Sequence, residues 1–255
     1  MNRFNDFLKS THPQEPLLPL AHNCETYNFR SIADSGTIET SECNVFKGEY
    51  LVYFFYGIPA YRPGDPETVG CRAAIMPTCL LFRPDFGGKP NRIIPFDTGA
   101  WHNGLFEMYY NRQMKKEHFF LDCDQKMHAR LVARFYGSNI GYFEGIPAPF
   151  TVPPAEFEVQ CYQDMIMANT KGHDDDRRSA IEIQYNHSIK LINGDVILVV
   201  LPSVMLDDAQ IRSTIVDNWH SEVRTYDIHR GSPREFIGII YEKVRDFMKT
   251  SGFLT

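Results

Sequence analysis

Three segments, in chain order, carry side chains of the kind that bond-making chemistry needs. The first is LAHN, where His22 and Asn23 fall at the end of an apolar, strand-like run. The second is LVYFFYGIPAYR: an aromatic run from Tyr53 to Tyr56, a break at Gly57 and Pro59, then Tyr61 and Arg62. The third is HDDDRRSAIEIQ, a polar loop with Arg177 and Arg178 that leads into an apolar strand carrying Glu182. A histidine, an aromatic cluster and a late glutamate suit the cleavage of a glycosidic bond such as the one joining nicotinamide to ribose in NAD+. Breaking that bond builds positive charge on the ribose as an oxocarbenium ion. A carboxylate beside it stabilises the charge and can orient a ribose hydroxyl or the acceptor nucleophile. Aromatic rings give the nicotinamide a face to stack on, an arginine can fork onto the pyrophosphate, and a histidine nitrogen can meet ribose hydroxyls.

Motifs of other common chemistries are missing. There is no G-x-x-x-x-G-K-[ST] phosphate loop, and FGGKP has the wrong spacing for one and reads as a turn. No H-E-x-x-H, G-x-S-x-G or paired-cysteine zinc pattern occurs. The run Asp174 to Asp176 reads as a charged loop. The segment IPFDTGAWHNG, around Asp97, Trp101 and His102, is loop-like; no chemical role is assigned to it, and a pocket wall is the one reading it leaves open.

The order of the three segments resembles the ADP-ribosyltransferases of histidine–tyrosine–glutamate type, and among them the DarT-like toxins that modify nucleic acid. In that family a strand ends in a hydrophobic-H-x-T segment, followed by a helix and S-G, to which Leu20 to Gly36 is similar, with Asn23 and Cys24 in place of the usual I-T. A second strand reads roughly aromatic–aromatic–P-R-x-P-M-L-Y, to which FFYGIPAYR is similar, with the arginine after the proline instead of before it. A late strand carries the glutamate after an arginine-containing loop, as RRSAIEIQ does. The resemblance implies a split, mixed or antiparallel sheet of ADP-ribosyltransferase type. It implies Glu182 as the catalytic carboxylate, NAD+ as co-substrate with no metal, and His22, Asn23, Tyr56, Tyr61 and Arg62 as residues that bind it. It also implies a nucleic-acid acceptor (DNA or RNA) met by Arg177 and Arg178, with a cognate antitoxin as a further partner. Because net charge is −6, any basic groove must be local, and Arg112, Lys115 and Lys116 are its other candidates.

Plainer roles stand beside these. His22 can be a hydrogen-bonded structural residue, and Glu182 a solvated one on an exposed sheet face. Alternation lets one face only of the aromatic strand meet a ligand, so the core takes either Tyr53 and Phe55 or Phe54 and Tyr56. A rival chemistry uses some of the same residues. Asp176 with Glu182-x-Gln184 approximates the Mg2+ site of PD-(D/E)-x-K nucleases, without the lysine. A non-catalytic recognition protein, binding a partner through its two C-terminal helices, is the third reading.

The elements that must position these residues read as an α+β mixture in which short strands do not strictly alternate with helices. HPQEPLLPLAHN enters extended, and ETYNFRSIADSG is a short helix stopped by Gly36. TCLLFRP and RIIPF are strands. DQKMHARLVARFYG is a helix with Asp124 as its cap and Met127, Leu131, Val132 and Phe135 as its stripe. EFEVQCY, SAIEIQY and DVILVVLP read as strands. DDAQIRSTIVDNW aligns Ile211, Ile215 and Trp219 on a helix, and SPRE starts a last helix by a capping box. The 255 residues suit one domain, with 206–255 as its helical C-terminal part. The N-terminus has no long apolar stretch and no apolar run spans a membrane, so the expectation is a cytoplasmic protein whose six scattered cysteines are reduced.

Overall fold

The computed structural model describes residues 2–13, 16–61, 69–123, 126–168 and 176–254. In chain order it forms helix α1 (Arg3–Lys9), strand β1 (Leu20–Glu25), α2 (Thr26–Ser35) and strands β2 (Thr37–Ile38), β3 (Ser41–Glu42), β4 (Tyr50–Tyr56), β5 (Pro77–Phe82) and β6 (Arg92–Ile94). Helices α3 (Thr98–His102), α4 (Met127–Phe135), α5 (Asn139–Phe143) and α6 (Phe157–Met167) follow. The chain then makes β7 (Glu182–Tyr185), β8 (Ile189–Lys190), β9 (Val196–Pro202), α7 (Ala209–Ser213), β10 (Glu222–Tyr226) and α8 (Pro233–Thr250).

The expected α+β class holds, around one mixed sheet of order β10-β9-β5-β1-β4-β7-β6 with β3 added to β4. Its pairs are antiparallel except β9 with β10, which run parallel. The sheet opens in the middle. Strand β1 pairs with β5 along its whole length, from Leu20↔Phe82 to Glu25↔Pro77. With β4 it pairs only at Leu20↔Tyr56 and Ala21↔Phe55. Beyond those two residues, side chains span the gap: His22 Nδ1–H donates to Tyr53 O at 2.9 Å, and Asn23 Nδ2 to Ala60 O at 3.0 Å.

Helix α2 covers one side of the sheet and ends at Gly36, whose left-handed φ of 64° lets its N–H close on Ile32 O. Helix α8 packs on β5 and β9 through Phe236, Ile240 and Val244, all buried. Its start is the expected capping box, with Ser232 N–H donating to Glu235 Oε1 at 2.9 Å. Ile211, Ile215 and Trp219 are buried as the spacing predicts, although the helix ends at Ser213 and continues as a π-turn over Thr214–Asn218. The stripe of α4 is buried too; its expected cap, Asp124, lies outside the described residues.

Two expectations need correction. EFEVQCY is helix α6, not a strand: Val159, Tyr162 and Met165 are buried at three-residue spacing, while Phe157 is exposed. Region 206–255 is not purely helical, because β10 extends the sheet edge. The N-terminus also forms a helix, α1, which buries Phe4 and Leu8 one turn apart against α4 and α6. Among the described residues no helix is long and apolar enough to cross a membrane.

Candidate active site

The aromatic strand β4 sorts its rings by alternation. Phe54 and Tyr56 point to the core side, where Phe54 is fully buried edge-on against Phe82, Phe86 and Tyr185. Tyr53 and Phe55 point the other way, into a cavity of about 570 Å³. That volume is ordinary for a small-molecule or cofactor site. Gly57 ends the strand with φ 70°, and a Cβ there would meet Leu18 Cδ1 at 2.4 Å, so only glycine fits this turn. The turn returns Ala60 and Tyr61 to the same cavity wall.

Strand β7 supplies the carboxylate. Register places Glu182 opposite Phe55 and Ile94, and Gln184 opposite Tyr53 and Arg92, on the cavity side. Glu182 is not a solvated residue of an exposed face: it is 3% exposed and lines the cavity floor. Thr98 donates its N–H to Oε2 at 3.1 Å and its hydroxyl to Oε1 at 2.9 Å. Gln184 Nε2 donates to the same Oε1. Burial, and after it the nearby Asp97 charge, push the Glu182 carboxyl up to about 7, against the three hydrogen bonds that favour its anion.

The segment around Asp97 and His102 does form part of the cavity wall. Asp97 caps α3 by accepting Ala100 N–H at 2.7 Å, which presents Thr98 at the helix start. Asp97 N–H donates to Arg177 O at 2.9 Å and so ties the β7 approach to α3. Trp101 is a pillar, stacked on Phe96 at 5.0 Å and on Tyr110 at 4.1 Å. His102 and Asn103 reach the cavity wall, as does the β3–β4 loop through Cys43, Asn44 and Val45. Cys43 Sγ accepts the N–H groups of Val45 and Phe46 at 3.3 and 3.1 Å, which tightens that loop.

The sequence candidates are brought together only in part. Glu182, Tyr61 and Arg177 share the cavity. Asn23 touches its wall through Ala60, and its Oδ1 is buried with no hydrogen-bond partner among the described residues. His22 does not reach the wall. Its ring sits 5.4 Å from Phe54, on the core side, where burial lowers the imidazole pKa against the raising effect of the Tyr53 O bond. Tyr56, expected at the cofactor, is a core residue: its hydroxyl accepts Leu18 N–H at 2.9 Å and its ring packs 4.2 Å from His128. Arg178 turns away to Ala168 O at 2.5 Å. Arg112 and Lys115 are exposed, and Lys116 lies 4.9 Å over the Phe46 ring; none lines the cavity. Arg62, Asp174 and Asp175 lie outside the described residues, and Asp176 begins the short turn Asp176–Arg178. Among the described residues there is no group of three or more His, Cys, Asp and Glu side chains placed to hold a metal ion. Gln184, the third position of the nuclease reading, has its carboxamide engaged by Arg92 and Glu182.

Residues that sequence reasoning missed are Thr98 and Cys43, while Tyr53 and Phe55 were one of the two faces that alternation left open. For Thr98 a signal existed: Asp97 before T-G-A is a helix-cap pattern, and a capped turn presents the next residue's N–H and side chain together. Comparison of the chain with family models, with curated proteins and with solved structures returned no match.

Proposed function

We propose that the protein is an NAD+-dependent ADP-ribosyltransferase of toxin or defence-effector type, with Glu182 as its catalytic carboxylate and a nucleic-acid base as acceptor. The observation that carries this reading is the buried Glu182, held by three donors at the floor of a cavity walled by Tyr53, Phe55 and Tyr61. Such a site accommodates a flat ring beside a fixed negative charge. Cleavage breaks the bond between ribose C1 and the nicotinamide nitrogen, and the electron pair leaves with nicotinamide. Glu182 stabilises the oxocarbenium ion left behind. The acceptor nucleophile then bonds to C1 and loses its proton, for which a carboxylate with a pKa of about 7 is a suitable base.

The unpartnered Asn23 Oδ1 supports a ligand at the Ala60–Tyr61 end, where a carboxamide or hydroxyl donor would complete it. Arg177 supplies positive charge on the wall for a phosphate. With His22 and Tyr56 on the core side, this site works without two residues that the family resemblance had implied. Incubation of the purified protein with NAD+ labelled in its adenylate part, together with DNA, RNA and protein acceptors, tests the reading. Label on nucleic acid with nicotinamide released supports it; no release and no binding by calorimetry ends it.

A further inference from the structure

One arginine ties the loop that walls the cavity to the carboxylate on its floor. Arg92, on β6, donates Nε–H to Gln184 Oε1 at 2.8 Å. Its fork engages both oxygens of Glu49, Nη1 to Oε1 at 3.1 Å and Nη2 to Oε2. Its guanidinium lies 3.8 Å over the Phe46 ring. Phe46 and Glu49 belong to the β3–β4 loop that brings Cys43, Asn44 and Val45 to the cavity. On its far side Gln184, fully buried, donates Nε2–H to Glu182.

A carboxamide has one accepting end and one donating end, whereas a guanidinium only donates. Contact with Arg92 therefore obliges Gln184 to turn Oε1 outward and Nε2 toward Glu182. With Thr98 on its other side, the carboxylate meets three donors. Without Arg92 the carboxamide is free to rotate and accept a proton from a neutral Glu182.

We infer that Arg92 is a positioning residue for Glu182, acting through Gln184, and that through Glu49 and Phe46 it couples the β3–β4 loop to the orientation of that carboxylate. The inference rests on the proposed function only for the use to which the carboxylate is put. Other ionisable groups face the same space and are left in place by the test below. Asp97 opposes ionisation of Glu182 from the start of α3, and the Tyr53 hydroxyl approaches from β4. Glu42, Tyr61, His102 and Arg177 stand farther round the cavity wall.

The test is the carboxyl titration of Glu182 in the intact protein, followed by 13C NMR of glutamate-labelled protein and assigned by the signal lost in Glu182→Gln. It needs no NAD+, so its outcome is separate from that of the proposed activity. Arg92→Met and Gln184→Met should each raise the midpoint by about one pH unit, the scale of one hydrogen bond to a charged group. In a Gln184→Met background, Arg92→Met should then add nothing. A midpoint unchanged in folded Gln184→Met protein overturns the relay. So does a shift from Arg92→Met that persists in full without Gln184, which would make Arg92 a through-space charge only.

Discussion

Thr98 holds Glu182 by both oxygens, its N–H on Oε2 at 3.1 Å and its hydroxyl on Oε1 at 2.9 Å. A single residue at the start of a capped turn thus fixes the rotamer of the buried carboxylate and favours its anion against burial. Removing one of its two donors should leave the fold standing and change the acid. Thr98→Val keeps the shape and the N–H but loses the hydroxyl. Its titration midpoint for Glu182 should rise by about one pH unit, and nicotinamide release should need correspondingly higher pH. A pH–rate profile with an unmoved acid limb would show that the hydroxyl contributes nothing to the ionised state.

The raised Glu182 pKa has a consequence for stability. Unfolded, the carboxyl titrates near its ordinary 4.5; folded, at about 7. Between those values the native state binds more protons than the unfolded one, so this group's contribution falls as pH rises through the window. Full ionisation costs about 3 kcal/mol relative to acid pH. Glu182→Gln lacks this dependence. Urea unfolding of both proteins from pH 4.5 to 8 should show wild type losing about that much relative to the variant. Parallel stability curves would contradict the buried, raised carboxyl.

Strand β4 divides labour between adjacent rings. Phe54→Ala empties a fully buried, ring-packed position and should cost about 3–5 kcal/mol of stability. Phe55→Ala opens the cavity wall and should mainly weaken NAD+ binding while melting close to wild type. Thermal melting with calorimetric titration separates the two, and equal destabilisation by both would deny the cavity face its role.

Much of the frame was legible in the chain, and the losses have physical causes. Gly36 as a helix stop, the Ser232–Glu235 box and the Ile211–Ile215–Trp219 stripe are local signals, and local signals survive in the fold. Helix α6 was hidden because Phe157, Val159 and Cys161 alternate like a strand, although Val159, Tyr162 and Met165 keep helical spacing. Strand β10 was hidden because an edge strand such as EVRTY buries little and alternates weakly. At the site, Glu182 was readable as an acid on an apolar strand. Which of His22 and Asn23 faces it was not, because register between β1 and β4 is a long-range property. Thr98 reaches Glu182, and Arg92 reaches the Gln184 carboxamide beside it, from separate elements, and no spacing in the sequence records that approach.

The two arginines before β7 are predicted to separate. Arg177 lines the cavity, while Arg178 is committed to Ala168 O. Arg177→Glu should weaken ADP-ribose transfer to nucleic acid more than it weakens nicotinamide release. Arg178→Glu should act through stability, with both activities lowered in parallel. Filter-binding of labelled nucleic acid, run beside a nicotinamide-release assay, distinguishes the patterns; identical profiles for the two variants would remove the acceptor role from Arg177.

The most direct test of Glu182 as the catalytic carboxylate is nicotinamide release from NAD+ by wild type and Glu182→Gln, at pH 8, with circular dichroism confirming that both are folded. The wild type should release nicotinamide. The variant should still bind NAD+ but turn over more slowly by a factor on the order of 10²–10³, the scale of losing a fixed electrostatic stabiliser. A folded Glu182→Gln protein that releases nicotinamide at the wild-type rate would contradict the account.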